Sequence, residues 1–196
     1  MTIYMFKLVC VTNRTLCSGN FLEQIEKIAS LKSEKKVSAV ILREKDLSDD
    51  EYLTLSSSVK KICDKYNTLF IWHSHVDMAI KQGIKNIHLP LPILRSLTDD
   101  EKSNFEIIGA SCHSIDEALE AYSLGCNYIT AGHVFQTDCK KDLPPRGVNF
   151  LKNICKNIDI PVLAIGGINR ENLHLVKEAG AAGACIMSGF MQCKDL

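Results

Sequence analysis

The chain has 196 residues, of which 46% are hydrophobic, and this length and composition suit a single domain over residues 1–196 with a sizeable core. Its 23 Lys and Arg balance its 23 Asp and Glu, so the formal net charge is zero and the broad basic surface of a nucleic-acid-binding or membrane-surface protein is not expected. We therefore expect a small-molecule ligand, with neither nucleic acid nor membrane as a partner.

The cysteines indicate a reducing compartment. There are nine, an odd number, and five of them lie inside apolar runs and are expected to be reduced core residues: Cys10, Cys112, Cys126, Cys155 and Cys185. No signal peptide precedes the first strand-like run, and no apolar stretch approaches the roughly 18 residues of a membrane span. These features predict a cytoplasmic protein.

Eight apolar, β-branched runs alternate with helical patterns, which is typical of a parallel sheet built from strand–helix–strand units. The predicted strands are 7–12, 37–43, 68–73, 86–89, 106–111, 128–134, 161–165 and 184–187. Most of their centres are apolar at consecutive positions, as expected of strands that are covered on both faces.

Polar residues mark where the helices between these strands begin. Residues 48–51 and 114–117 both have the capping-box pattern, a serine followed three residues later by a glutamate. The helix after 114–117 is expected to end at Gly125, and a later helix is expected to begin at 169–172 and end at Gly180.

Eight parallel strands with right-handed helical crossovers close most naturally into a barrel, so the predicted fold is an α/β (β/α)8 TIM barrel. An open doubly wound sheet is the structural alternative, because barrels usually contain about 250 residues. Only residues 188–196 follow the last strand, so we expect a short barrel with an abbreviated or missing last helix. A second subunit covering that wall would make the protein a homodimer.

The carboxyl ends of barrel strands form the working face, so polar residues there are candidate ligand contacts. Those with a predicted substrate-binding role are Arg43, Lys45, His73, Ser111, Thr137, Cys139 and Lys140, and His133 lies among them. Gly166, Gly167, Ser188 and Gly189 are predicted to bind phosphate, because glycine turns let backbone amides approach an anion. A salt-bridged strand end at 43–45 and a purely structural glycine turn are the alternatives.

Three histidines raise the question of a metal site. His73 and His75 are two residues apart, and His88 follows in the next predicted strand. No Asp or Glu at a neighbouring strand end completes an obvious set of ligands. We therefore expect no metal here, and instead a polar rim or buried, hydrogen-bonded histidines.

Several motifs stand in a fixed order along the chain: LREK at 42–45, VDMA at 76–79, IHL at 87–89, IGASCHS at 108–114, GHVFQTDCK at 132–140, IGGI at 165–168 and MSG at 187–189. Together they resemble the thiamine phosphate synthase superfamily, and this resemblance also implies a (β/α)8 barrel. One branch, the thiamine phosphate synthases, joins a pyrimidine pyrophosphate to a thiazole phosphate with magnesium. The other branch consists of TenI-type thiazole tautomerases.

The chain departs from the synthase pattern where magnesium would bind. Synthases carry Asn-Asp where His73 and Ser74 stand, and a second acidic residue in the segment that here ends at Ile93. Magnesium takes hard oxygen ligands, which these side chains do not replace. The chain also reads Gly132-His133 where synthases read Gly-Pro, and this loop resembles TenI-type proteins closely.

The resemblance to the TenI branch implies an isomerase of thiamine biosynthesis that aromatises a carboxylated thiazole phosphate and uses no cofactor. Its catalytic residue would be His133, removing one proton and returning it elsewhere, since an imidazole titrates near neutral pH. Two alternatives stay open. One is a thiamine phosphate synthase, and the other is a non-catalytic regulatory protein that binds a thiamine precursor.

Overall fold

The computed structural model describes residues 6–193, and eight parallel strands within them close into a barrel in chain order. The strands are β1 (Lys7–Val11), β2 (Val37–Leu42), β3 (Leu69–His73), β4 (Asn86–Pro90), β5 (Ile107–Cys112), β6 (Tyr128–Gly132), β7 (Val162–Ile165) and β8 (Gly183–Ile186). Each predicted strand end lies within two residues of an observed one. The predicted (β/α)8 TIM barrel is confirmed.

Helices connect the strands and form the outer layer. They are α1 (Phe21–Ala29), α2 (Asp49–Lys65), α3 (Val76–Lys81), α4 (Leu91–Ser96), α5 (Asp99–Lys102), α6 (Ile115–Ser123), α7 (Gly147–Asn157), α8 (Leu173–Glu178) and α9 (Ser188–Met191). The last is a single turn, as predicted for an abbreviated helix, and residues 194–196 of the predicted stub lie outside the described residues. The homodimer stays a prediction.

The strands are apolar at consecutive positions because each one faces two cores. In β1, Val9 and Val11 point into the barrel, where they pack with Ile41, Ile71 and Leu163 among others. The intervening Cys10 points outward into the larger core between strands and helices. Side chains that alternate across a strand covered on both sides must all be apolar, which explains the runs in the sequence.

The two predicted capping boxes have different outcomes. Before α2, the Ser48 hydroxyl accepts from the Glu51 amide at 3.4 Å, and the Glu51 carboxylate accepts from the Ser48 amide at 2.9 Å. Before α6, Ser114 accepts from the Glu117 amide at 3.0 Å, but the Glu117 carboxylate accepts from the His113 amide instead, at 2.5 Å. The second box is therefore only half formed, and its glutamate fixes the chain just after β5.

The five predicted core cysteines are reduced. Cys10, Cys112, Cys126 and Cys185 are buried and Cys155 is half-buried, and burial raises the pKa of the Cys185 thiol to about 12. Such thiols stay protonated and inert at neutral pH. None of the helices in residues 6–193 is both long enough and apolar enough to cross a membrane.

Candidate functional site

A cavity of about 330 Å³ opens at the carboxyl ends of the strands. Every predicted site residue except Gly189 lines it: Arg43, Lys45, His73, Ser111, His133, Thr137, Cys139, Lys140, Gly166, Gly167 and Ser188. Gly189 follows Ser188 in α9, where an added Cβ would meet the Ile186 side chain at 3.0 Å, and its contact with phosphate stays a prediction.

The glycine turn after β7 is packed tightly against the loop after β6. Gly166 and Gly167 have φ values of +100° and +65°, a region that favours glycine. A Cβ at Gly166 would lie 2.3 Å from the His133 Cβ, and one at Gly167 would lie 2.2 Å from the Gln136 carbonyl oxygen. Only glycine fits at both positions, so the two loops form one continuous wall of exposed backbone.

Three cations also line the cavity. Arg43 and Lys45 follow β2, and Lys140 lies in the loop after β6. The positive charge of Arg43, together with burial and Lys140, lowers the pKa of Lys45. Burial, with Arg146 and Arg43, also lowers the pKa of Lys140, although the charge of Glu117 acts in the opposite direction. Lys45 and Lys140 are therefore both influenced by other cations, which favours an anion in this cavity.

Glu44, between two of these cations, faces away from the cavity. It is 2% exposed, accepts from the Thr12 hydroxyl at 2.6 Å and receives the Arg14 amide at 3.0 Å on both carboxylate oxygens. The salt-bridged strand end considered for 43–45 thus applies to Glu44 alone. By tying β2 to the segment after β1, Glu44 directs its two neighbours toward the cavity.

Two of the three histidines in the predicted strand ends lie together, His73 in the wall of the cavity and His88 buried beside it, and neither is charged at neutral pH. Burial, followed by the charge of His88, lowers the pKa of His73 to about 3, and burial with Arg43 lowers that of His88 to about 4. Their ring centroids are 6.0 Å apart. His75 lies elsewhere, with its Nδ1 3.0 Å from Asp49, so the three histidines do not share a site.

A buried hydrogen-bond chain reaches the cavity through His88. Its Nδ1 is 3.0 Å from the Tyr128 hydroxyl and its Nε2 is 2.8 Å from the Ser111 hydroxyl. If the Tyr128 hydroxyl donates to Nδ1, each donor in this series of three side chains has an acceptor. If Nδ1–H donated to Tyr128 instead, the phenolic proton would have no acceptor. Nε2–H then donates to Ser111, whose own proton is free to donate to a ligand.

His133 lies in the wall beside the glycine turn. It is 5% exposed, and its Nε2 is 3.2 Å from the Leu143 carbonyl oxygen, to which it donates. Within the described residues its buried Nδ1 has no hydrogen-bond partner. An unpaired buried nitrogen in the wall of a cavity is a candidate contact for a ligand.

Two further lining residues, His113 and Thr130, were not given a predicted role. His113 comes two residues after Ser111, just beyond the end of β5, so its position at a strand end could have identified it. Its Nδ1 donates to the Gly132 carbonyl oxygen at 2.7 Å. Thr130 points into the barrel from the middle of β6, where a buried threonine reads as an ordinary strand residue.

The cavity does not fit a magnesium ion. Of the described residues that line it, none is Asp or Glu, and residues 6–193 contain no group of three or more His, Cys, Asp or Glu side chains that could hold a metal. Magnesium needs hard oxygen ligands. Ser74, at the place of a synthase carboxylate, instead has its hydroxyl 3.0 Å from the His73 Nδ1.

Comparison with known proteins connects this architecture to one family. A family model described as thiamine monophosphate synthase matches residues 8–190. The thiamine-phosphate synthase of Syntrophomonas wolfei is 35% identical over 198 residues, covering 97% of this chain and 91% of that protein. That of Clostridium tetani is 33% identical, covering 96% and 90%. The solved thiamine phosphate pyrophosphorylase of Pyrococcus furiosus superposes with a TM-score of 0.82 at 30% identity, covering 97% and 89%.

These relatives correct one prediction. The chain was expected to be a thiazole tautomerase, because the loop at 132–141 resembles TenI-type proteins, but the relatives that match nearly its whole length are named thiamine-phosphate synthases. The prediction of an isomerase is therefore wrong, while the more general prediction of an enzyme holds. The catalytic role of His133 stays an untested prediction. The barrel, the ordered motifs and the full-length matches together place the chain in the thiamine monophosphate synthase family.

Proposed function

We propose that the chain catalyses the reaction for which its relatives are named, the formation of thiamine phosphate from a pyrimidine pyrophosphate and a thiazole phosphate. In this reaction the bond between the pyrimidine-bearing carbon and the pyrophosphate breaks, and its electron pair leaves with the pyrophosphate. The ring nitrogen of the thiazole supplies the pair for the new carbon–nitrogen bond. Both reactants are anions, and one product is released as an anion.

The observation that carries this proposal is the presence of two different kinds of anion-binding group in one cavity. The cations Arg43, Lys45 and Lys140 line the cavity, and so do the glycine turn and Ser188. Guanidinium and ammonium groups suit a highly charged pyrophosphate, whereas exposed backbone amides suit a phosphate monoester. A protein that bound a single monophosphate would need only one of these kinds of group.

The cations also have a role in the bond-breaking step. Negative charge accumulates on the pyrophosphate as it leaves, and fixed positive groups in a partly buried cavity stabilise that charge without reorganisation. Ser111, with its proton directed into the cavity, can donate to the same oxygen atoms or to a ring nitrogen. The two neutral histidines beneath it add no competing charge.

The test is to incubate the purified protein with both substrates and to measure thiamine phosphate by chromatography and pyrophosphate by a coupled assay. Equal amounts of the two products are expected. An Arg43→Gln variant should lose activity, while Lys141→Gln should keep it, because the Lys141 side chain is 70% exposed and pairs with Asp138. Absence of product, under conditions in which the Clostridium tetani relative is active, would refute the proposal.

One observation favours a second candidate, the binding of a thiamine precursor without turnover. None of the described residues lining the cavity is a carboxylate, although synthases carry acidic residues for magnesium. A protein that had lost catalysis could keep the cations and the glycine turn. The same assay separates the two functions, since this candidate predicts substrate binding by calorimetry and no product.

A further inference from the structure

We propose that Arg43, Lys45 and Lys140 take the place of a divalent cation, so that this chain binds pyrophosphate without magnesium. The inference deepens the proposed function and rests on it for the identity of the ligand. It concerns how the site holds the anion, which is measured separately from turnover.

The first step is that no carboxylate is in direct contact with these cations, although the charge of Glu117 acts on Lys140 from a greater distance. Among the described residues none of the three forms a salt bridge, although other cations do, including Arg14 with Asp46 at 2.6 Å and Arg95 with Glu120 at 2.5 Å. Neighbouring positions in one loop show the contrast. Lys141 pairs with Asp138 at 3.4 Å, whereas Lys140 turns into the cavity.

The second step is that the cations lie close enough to repel one another. The pKa of Lys45 is lowered first by Arg43, and that of Lys140 by burial and then by other cations, Arg43 among them. Such an arrangement costs free energy in the empty protein. A polyanion that contacts all three relieves the repulsion, so the site is complementary to a ligand with several negative charges.

The third step is that a divalent cation is disfavoured at the same place. It would meet three positive side chains, and the uncharged His73 ring lines the same cavity without a carboxylate among the described lining residues. Of the described lining side chains, only hydroxyls offer oxygen: Ser111, Thr130, Thr137 and Ser188. Hydroxyls without a carboxylate make a poor magnesium site.

The decisive experiment measures the affinity of the full chain for inorganic pyrophosphate by calorimetry, once with EDTA and once with millimolar magnesium. We expect binding in EDTA, and an affinity that magnesium leaves unchanged or weakens, because magnesium neutralises part of the ligand's charge. Lys140→Gln should weaken binding by about 10- to 100-fold, the loss of one charge-assisted contact. The matched Lys141→Gln variant should bind as the unaltered protein does.

Three results would overturn the inference: no binding in EDTA, affinity that magnesium raises by more than about tenfold, or equal weakening in both lysine variants. A thermal unfolding curve of each variant without ligand excludes a loss of fold as the cause. The outcomes for the proposed function are distinct. Pyrophosphate binding in EDTA without any product would refute the proposed synthase activity and support this inference. Product formation with binding that depends on magnesium would support the synthase activity and refute this inference.

Discussion

Replacing Tyr128 with phenylalanine tests the buried hydrogen-bond chain beneath the cavity. The ring of Tyr128 fills the barrel interior across Gly109, where an added Cβ would lie only 2.1 Å from its Cζ, so a phenylalanine ring keeps the same packing. The substitution removes one hydroxyl and nothing else. It leaves the Nδ1 of His88, a fully buried ring, without its partner at 3.0 Å.

The expected cost follows from that one unsatisfied atom. A buried acceptor that loses its donor destabilises a protein by about 1–3 kcal/mol. For a chain of this length each kcal/mol lowers the unfolding midpoint by roughly 2–4 °C, so a fall of about 2–12 °C is expected. Urea unfolding monitored by circular dichroism measures the free energy directly.

Tyr122→Phe is the matched control, because the Tyr122 side chain lies on α6 with 42% exposure and should lose less than about 0.5 kcal/mol. Long-range proton–nitrogen spectra of the unaltered protein should show His88 with its proton on Nε2. If Tyr128→Phe and Tyr122→Phe were equally stable, the buried hydrogen bond between Tyr128 and His88 would be wrong, and if the proton were found on Nδ1, its assigned direction would be wrong.

Three other measurements examine the site. Burial lowers the pKa values of His73 and His88 from 6.5 to about 3 and about 4, so the unfolded chain binds more protons than the folded protein between these values. The free energy of unfolding should therefore fall as the pH drops from about 6.5 toward 4. The expected slope, measured by urea titrations, is up to about 1.4 kcal/mol per pH unit for each ring. Gly167→Ala should cost about 1–3 kcal/mol and weaken phosphate binding in calorimetry, whereas Gly19→Ala, with nothing within 4 Å of its added Cβ, should do neither. Glu44→Gln should lower the free energy of unfolding, measured in urea, by about 1.5–3 kcal/mol. It should also weaken pyrophosphate binding, because the charge of Glu44 holds the segment that carries Arg43 and Lys45. Unchanged binding would contradict that role.

The barrel could be predicted from the sequence because its strands carry a redundant signal. Each strand is covered on both sides, so apolar side chains recur at consecutive positions rather than at alternate ones, as over the last four residues of Val37–Leu42. Gly125 and Gly180, with φ values of +86° and +89°, ended their helices as the sequence predicted. These patterns are local, so they can be recognised in one stretch of sequence without knowing which residues pack against it.

The contacts within the site were less predictable because they join residues far apart in the chain. His88 and Tyr128 are 40 positions apart, and no spacing rule connects them. Glu44 stands between two cavity residues in the sequence, but its partners Thr12 and Arg14 belong to the segment around the end of β1, and they turn it away. Such partners become visible only when the strand ends are brought together.

The incorrect tautomerase prediction has a physical explanation of the same kind. It gave most weight to the loop at 132–141, and a loop determines which groups touch a ligand without determining which bond is broken. The surrounding barrel supplies cations and a glycine turn that suit any reaction of two phosphorylated reactants in this cavity. Ser74 and Ile93 stand where synthases carry carboxylates. This difference therefore affects how pyrophosphate is bound, and it affects the reaction only as a consequence. Binding and turnover can be measured separately in this protein. The arrangement of Arg43, Lys45 and Lys140 predicts the first of these, the affinity for pyrophosphate without magnesium.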